Sequence, residues 1–418
     1  MRNRPLVRLA LTAALALAVG QLGACARGHG KYTQAHKDIA LKRVNQLKSM
    51  NEYQTAWSQY LAGDLEKAVA SIDRAVTLNP GIAKSHVLRG RIHIERGDID
   101  SATTALTEAE KIEPENVEAQ YYLGIIAERV SRLDEAQTRY LNAARLDPTN
   151  AQYVVAAAEM MIDRGLLDEA DALLAQQAAL LAHHAGIRQT RGHVALLRGD
   201  AEGAVKFFSD ARLLAPDDTM ILEDLVRAQI ATANFAEAEY HLATLQKTKG
   251  YEDRRDIKAT RARCMLNLDR PIEARELFIQ LTQGDQGAKD IEAWIELGNL
   301  SYVLRDDRRL RDAAMRVTAL APERHEGFTL RGLYHRRRGE FEQALTFFDQ
   351  ACDRRGAESQ PLVLRGLLFE QLGRTDEARA SYAQALSQNP DDTGVAQLLE
   401  ALPPAAGTFA TFPDIGGR

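Results

Sequence analysis

The sequence contains none of the short motifs that mark common enzyme active sites. GxSxG, HExxH, GxxxxGK and CxxC patterns are all absent, so serine-hydrolase, zinc-protease, phosphate-loop and thiol-redox sites are not indicated. The paired acids Asp306 and Asp307 fall in a polar turn, where we expect solvated helix caps rather than an acid–base pair. We therefore predict a protein that is not an enzyme and that needs no metal or cofactor.

Long apolar runs and an excess of positive charge are also lacking. Residues 9–20 form one apolar run, whereas a membrane-spanning helix needs about 20 residues. The 418-residue chain has a formal net charge of −5, which disfavours a general nucleic-acid-binding role. Because Arg2, Arg4 and Arg8 precede the apolar run, the N-terminus has the features of a secretory signal peptide.

Cysteine is scarce, and one of the three cysteines ends this N-terminal segment. Leu22, Gly23 and Ala24 directly precede Cys25. This stretch resembles the lipobox of bacterial lipoproteins, in which the cysteine thiol is acylated and the chain is cut before it. The resemblance implies a signal peptide over residues 1–24 and a covalent lipid on Cys25. An ordinary signal peptide, with a cysteine that happens to lie past the cut, is the alternative.

The lipoprotein resemblance also implies a location and an orientation. The residue after the cysteine is Ala26 rather than aspartate, which by the usual bacterial sorting rule indicates the outer membrane, with the chain facing the periplasm. Residues 25–34 would form a lipidated tether, and a helix over 35–48 would lead into the rest of the chain. Loss of three arginines would change the net charge from −5 to −8.

A repeat with a period of about 34 residues fills most of the remaining sequence. A small residue follows successive acidic turns at steps of 34 residues, then twice at 36 and again at 34; these positions are Ala68, Ala102, Ala136, Ala170, Ala204, Ala238, Ala274, Leu310, Ala344 and Ala378. Another small residue recurs at the eighth place, with Val226 as the exception, and a bulky one at the twenty-fourth, where the eighth unit has Ala314. Proline commonly closes the unit, because it cannot continue a helix.

This pattern resembles the tetratricopeptide repeat, a unit of two antiparallel helices. The resemblance implies an all-α fold, a right-handed superhelical solenoid of about ten units, in which neighbouring units bury each other's apolar faces. Units 1–6 would span residues 49–250 and units 7–10 residues 251–392, followed by a capping helix over 393–402 and a disordered tail over 403–418. The polar stretch 246–257 is either a bend between the two groups of units or a longer loop.

The remaining cysteines and the histidines fit a structural role better than a metal site. Cys264 and Cys352 lie two repeats apart, farther than the roughly 7 Å that a disulfide allows between Cα atoms, so we expect unpaired thiols. His183, His184 and His193 could approach one another where units four and five meet, but no acid or cysteine completes a ligand set. We predict no metal site.

The tetratricopeptide resemblance also indicates which residues face the binding groove. In that family, fixed places on the first helix of each unit line a concave surface. The groove residues carried over in this way are Tyr53, Trp57, Tyr60, Arg91, Tyr121, Arg227, Arg263, Asn299 and Tyr302. The first unit is aromatic at these places, which is typical of a protein–protein hot spot. Alternatively, residues 35–50 or the end of the solenoid cover these rings.

Two arginine-rich runs, at 304–312 and 335–340, suggest a basic patch on units eight and nine. Its members would be Arg308, Arg309, Arg336 and Arg337. Such a patch could bind an anionic ligand or lipid headgroup, but the acids interleaved in the first run favour a salt-bridged surface.

The sequence therefore favours a membrane-anchored, non-enzymatic scaffold that binds an unidentified envelope protein and no nucleic acid. It resembles lipoproteins that help to assemble pilus secretins or exopolysaccharide export pores. Two other hypotheses remain open: an envelope ligand-binding protein or enzyme with a polar site inside the superhelix, and a regulator that binds an anionic partner through the arginine-rich units.

Overall fold

The structure is a computed structural model that describes residues 31–354 and 359–403. All regular structure in these residues is helical, which confirms the all-α prediction. The signal peptide, the lipobox with Cys25 and the tail beyond residue 403 lie outside the described residues. None of the helices in the described part of the chain is long and apolar enough to cross a membrane.

The chain divides into two compact units, Met1–Gly199 and Asp200–Arg418, here called the N-unit and the C-unit. The described helices of the N-unit are α1 (Lys31–Leu61), α2 (Leu65–Leu78), α3 (Ala83–Glu95), α4 (Ile99–Ile112), α5 (Val117–Arg129), α6 (Leu133–Leu146), α7 (Ala151–Asp163), α8 (Leu167–Gln177) and α9 (Ala185–Leu197).

The C-unit continues the same pattern of short helices joined by tight turns. Its described helices are α10 (Ala201–Leu214), α11 (Thr219–Ala231), α12 (Phe235–Leu245), α13 (Arg255–Asn267), α14 (Pro271–Leu281), α15 (Gly284–Gly287), α16 (Ile291–Val303), α17 (Asp307–Leu320), α18 (Glu326–Arg337), α19 (Phe341–Cys352), α20 (Ser359–Gln371), α21 (Thr375–Gln388) and α22 (Thr393–Ala401).

Turn chemistry sets the antiparallel pairing of successive helices. Gly63 and Gly97 adopt φ values of 78° and 76°, a left-handed conformation that ends the first helix of a pair and that glycine adopts without steric cost. The next residue caps the second helix: the Asp64 carboxylate accepts from the Lys67 amide, and the Asp98 carboxylate accepts from that of Ser101. Consecutive helices then pack as pairs, as the tetratricopeptide resemblance implies.

Each pair is locked where a glycine meets a bulky side chain. A Cβ atom added to Gly124 would lie 2.6 Å from the Tyr140 ring, and one added to Gly90 would lie 2.5 Å from Leu106. Tyr140 and Leu106 are at most 1% exposed. The close approach of the two backbones therefore requires the small residue at the eighth place, and the bulky residue at the twenty-fourth place fills the space between the helices.

The helix that leads into the first helix pair is longer than the sequence predicted. α1 begins at Lys31 and continues to Leu61, so residues 31–34 of the predicted tether are helical. Residues 35–48 form the middle of one unbroken helix, since no glycine or proline occurs between Lys31 and Leu61. Only the last part of this helix packs against α2.

The division between compact units does not coincide with the boundary at residue 250. It falls at Gly199, within the fifth repeat of the sequence, and the stretch 246–257 joins α12 to α13 inside the C-unit. The Tyr251 hydroxyl donates to Glu223 over 2.5 Å, and Arg254 pairs with the same carboxylate at 2.7 Å. These contacts hold the stretch against α11.

Candidate functional site

The predicted aromatic surface of the N-unit centres on the guanidinium of Arg91. This group lies 4.9 Å from the centroid of the Trp57 ring, 5.3 Å from that of Tyr60 and 5.0 Å from that of Tyr122. Trp57 and Tyr60 themselves are 5.9 Å apart. We call these four residues the Arg91 box.

The repeat period places these side chains together. Trp57 on α1 and Arg91 on α3 lie 34 residues apart, so they occupy the same place on the first helices of adjacent pairs. Tyr60 follows Trp57 by three residues and shares its helix face. Tyr122 on α5 is one position from the predicted groove residue Tyr121 and was not among the predicted groove residues.

No carboxylate forms an ion pair with Arg91 in the described part of the chain, although Glu118 lines the same pocket. Its guanidinium makes no ion pair there, and its Nε atom is buried without a hydrogen-bond acceptor. The cation is instead held by three ring faces, and one such contact is worth roughly 0.5–2 kcal/mol. Burial raises the pKa of Tyr122 to about 12, although the nearby Arg91 charge opposes this shift, so the ring remains neutral at physiological pH.

The Arg91 box opens onto a groove between the first helices of the N-unit. A pocket of about 330 Å³ is lined by Tyr53, Trp57, Lys84, Arg91 and Glu118 among others. A second pocket of about 510 Å³ shares Tyr53 and Lys84 with it. The two pockets are therefore adjacent, and between them Lys84 lies 5.2 Å from the centroid of the Tyr53 ring.

Residues 35–50 do not cover the aromatic rings. Because α1 is one continuous helix, this segment runs on beyond the rings rather than folding back over them. Leu47 is 60% exposed and Met50 52%. Tyr53, Trp57 and Tyr60 are each half-buried, so part of every ring lines the groove surface. This arrangement favours the hypothesis that the aromatic rings are accessible to a partner over the alternative that residues 35–50 cover them.

The comparison with family models matches residues 87–151 and 329–393 to the tetratricopeptide repeat. The chain carries tetratricopeptide repeats. The first matched region includes Arg91 and Tyr122, and the second lies in the C-unit. Repeats of this family generally mediate protein–protein interactions. None of the curated proteins matches the chain.

Several solved structures resemble parts of this repeat protein. PilW, a type IV pilus biogenesis factor, is 20% identical with a TM-score of 0.44, covering 49% of this chain and 95% of PilW. PilF of Pseudomonas aeruginosa is 16% identical with a TM-score of 0.41, covering 48% and 90%. YrrB, a repeat protein with an unusual peptide-binding site, is 19% identical with a TM-score of 0.36, covering 46% and 96%. Such low values carry no inference about function.

Tyr121 belongs to a second ring cluster of the repeat protein. Its ring centroid lies 5.7 Å from that of Tyr140 and 5.0 Å from that of Tyr153. Its hydroxyl accepts from Gln152 over 2.6 Å. The Tyr140 hydroxyl donates to Glu128 over 2.5 Å, and burial followed by this hydrogen bond raises the Tyr140 pKa. Tyr121 therefore links the Arg91 box to the packed core.

The predicted groove residues of the C-unit have different surroundings. Arg227 pairs with Asp224 at 2.9 Å, and Arg263 with Glu296 at 3.0 Å. Asn299 is exposed, and the ring of Tyr302 packs against Arg337, whose guanidinium lies 5.8 Å from the ring centroid. Both groove arginines are thus neutralised by acids of the same unit.

The predicted basic patch is largely salt-bridged. Arg309 pairs with Asp306, and Arg337 with Asp307, both at 2.5 Å. Arg336 donates to Gln371 over 3.2 Å, and Arg308 is exposed. Two of the four predicted cations are therefore neutralised by the interleaved acids, which weakens the case for an anion site here.

The remaining candidate residues occupy structural positions. Cys264 and Cys352 are free thiols, and burial raises the pKa of both, so neither is activated as a nucleophile. No group of three or more potential metal ligands occurs among the residues that the structure describes. His86 and His93 are 5% and 6% exposed and lie in the packed part of α3.

Proposed function

We propose that the chain is a lipid-anchored, non-enzymatic scaffold that binds a protein partner in a bacterial envelope complex. The partner segment would lie in the N-unit groove, over the Arg91 box. The observation that carries this proposal is an arginine in an open groove that is held by three aromatic rings and forms no ion pair with the described residues. Buried aromatic and arginine side chains supply most of the binding free energy in protein interfaces.

The surroundings of Arg91 favour a particular partner chemistry. Its guanidinium is already partly dehydrated and oriented by the rings, so an incoming carboxylate would meet a pre-organised donor. Lys84 adds a second cation, while Trp57 and Tyr53 offer apolar faces. We therefore expect a partner segment in which an acidic residue lies next to a large apolar residue, with Glu118 excluding acids from one end.

The lipid on Cys25 would supply the other half of the function. Membrane anchoring holds the groove close to envelope proteins and raises their effective concentration without new contacts. The envelope complex, pilus- or secretin-associated or a polysaccharide export pore, remains part of the proposal, as does a location at the periplasmic face of the outer membrane.

In-cell photo-crosslinking tests the groove directly. We would place a photo-reactive residue at Trp57 and, as a matched control, at Tyr240, which lies on α12 and is 66% exposed. We expect a discrete adduct with one envelope protein from position 57 and not from position 240. Equal adducts from both positions, or an adduct confined to this chain, would contradict the proposed groove.

The lipid anchor is tested separately with Cys25→Ser. We expect the natural chain to incorporate labelled palmitate and to fractionate with membranes, and the variant to lose the label. Incorporation of label by the Cys25→Ser variant would show that this cysteine is not the modified residue.

A further inference from the structure

Exposed apolar side chains are concentrated on the outer part of α1. Ile39, Leu41, Val44, Leu47 and Met50 are between 44% and 60% exposed. These five residues fall within twelve positions, and no other stretch of that length in the described residues exposes as many large apolar side chains. A helix at a water-exposed surface normally hides such residues against the protein.

The same segment is basic in an otherwise acidic chain. Residues 34–50 contain four cations, Lys37, Lys42, Arg43 and Lys48, against the single acid Asp38, which gives a charge of +3. All four cations are exposed. The rest of the 418-residue chain must then carry −8, since the total is −5. Elsewhere most arginines of the array pair with acids, whereas no ion pair holds these four among the described residues.

Helix register sorts these residues onto distinct faces. Lys37, Leu41, Val44 and Lys48 share one face, and Ile39, Arg43, Leu47 and Met50 share another, because residues three or four apart lie side by side. The third face carries the exposed Lys42 and, two turns later, Ser49, which is 4% exposed and whose hydroxyl donates to the Ala75 carbonyl over 2.8 Å. Two of the three faces therefore mix apolar and cationic side chains. The third, polar face is on the same side of the helix as the residues that pack on α2.

We propose that residues 34–50 of α1 lie on an anionic lipid membrane as an interfacial helix. The apolar side chains would enter the boundary between headgroups and acyl chains, while the lysine and arginine stems extend to the anionic headgroups. A second copy of this chain fits less well, because it would bring +3 against +3. The proposal goes beyond anchoring through Cys25: the lipid determines where the chain is held, and the helix determines which face of the N-unit meets the membrane.

Vesicle binding without the lipid tests this helix. We would use the chain from Ala26 to Arg418, which keeps every residue that the structure describes, and measure co-sedimentation with vesicles of phosphatidylcholine and phosphatidylglycerol, and with pure phosphatidylcholine. We expect binding to the anionic vesicles that weakens with added salt, and much weaker binding to the neutral ones.

Charge-reversed variants identify the residues responsible. Lys37→Glu, Arg43→Glu and Lys48→Glu combined should weaken binding to anionic vesicles by about 10- to 100-fold. The matched control is Lys206→Glu, Lys247→Glu and Lys249→Glu, which makes the same charge change at exposed C-unit positions and should change binding by less than about threefold. Circular dichroism checks that both variants remain helical.

A second variant tests the apolar contribution. Ile39→Gln, Leu47→Gln and Met50→Gln keep the charge and the helix propensity, and should also weaken binding about tenfold or more. Equal affinity for neutral and anionic vesicles, an equal loss in the control variant, or a dimer that forms through these residues without vesicle binding would overturn the proposal. Because no lipid is attached in this experiment, its failure leaves the palmitate test of Cys25 unaffected.

Discussion

The N-unit and the C-unit place arginines at the same position of the repeat but surround them differently. Arg91, at the ninth place, is held by three rings and forms no ion pair within the described chain. Arg227 and Arg263 occupy the same place in the C-unit and pair with Asp224 and Glu296. The fold fixes where a groove residue points, but its neighbours determine whether it is left for a partner.

The two arrangements also differ in energetic consequence. An exposed ion pair contributes only about 0–1 kcal/mol to stability and keeps its arginine occupied. An arginine on ring faces can keep the donors of its terminal guanidinium nitrogens for another molecule while its orientation is already set. Binding capacity is therefore expected in the N-unit groove rather than in the equivalent surface of the C-unit.

The largest effect should come from the glycine–aromatic packing that occurs within each of the two units. Gly124→Val would press a branched side chain into the Tyr140 ring, and Gly332→Val would do the same against Phe348. We expect each to lower the free energy of unfolding by about 1–3 kcal/mol.

The two tryptophans allow each unit to be followed by itself. Trp57 lies in the N-unit and Trp294 in the C-unit. Denaturant unfolding would be followed by fluorescence, with Trp294→Phe leaving an N-unit probe and Trp57→Phe a C-unit probe. Gly124→Val should move the Trp57 transition most, and Gly332→Val the Trp294 transition. A glycine variant that leaves the unfolding transition of its own unit unchanged would contradict the proposed role of glycine–aromatic packing in stability.

Two arginine variants should distinguish the N-unit groove from the equivalent C-unit surface by their effect on partner binding. Arg91→Ala should reduce partner binding by about 2 kcal/mol, roughly thirtyfold, since it removes the centre of the aromatic site. Arg263→Ala, at the equivalent place, removes an arginine that is already paired and should change binding by less than about twofold. The readout is the yield of the adduct formed from a photo-reactive residue at Tyr53. Equal losses from both variants would remove the distinction between the units.

The sequence predicted the shared packing better than the difference between the grooves. The repeat period alone predicted that Gly124 packs on Tyr140. The eighth and twenty-fourth places meet within a unit, and they are separated by the same number of residues in every unit. Register also brought Trp57, Tyr60 and Arg91 to one surface. Whether an arginine meets a ring or a carboxylate depends on side chains from adjacent helices, as with Glu296 and Arg263, and no periodic pattern encodes that choice.

Two features of the structure were not predicted, although the sequence contains a signal for each of them. The absence of glycine and proline between Lys31 and Leu61 argues for one straight helix, and hence against a cover formed by residues 35–50. Tyr122 could have been included by considering both aromatic neighbours at the fifth and sixth places. The division at Gly199 had no comparable signal, because the repeat continues through it with an unchanged period.

The smallest effect concerns the turns that end the first helix of each pair. In the N-unit these turns use Gly63, Gly97 and Gly165, with Ser131 at φ 59° as an exception, whereas the C-unit combines glycine at positions 339 and 373 with non-glycine residues, among them Arg305 at φ 58°. A side chain in this left-handed region is strained, and glycine relieves the strain at some cost in unfolded-chain entropy. Arg305→Gly should therefore stabilise the C-unit by about 0.5–1 kcal/mol.

The reverse change gives the matched control for this prediction. Gly97→Arg introduces the same strain into the N-unit and should destabilise it by about 1 kcal/mol. Trp294 lies on α16, which ends immediately before Arg305, so its fluorescence reports the first change, and Trp57 reports the second. If Arg305→Gly lowers stability instead, the turn at Arg305 must depend on contacts of the arginine side chain rather than on relief of backbone strain.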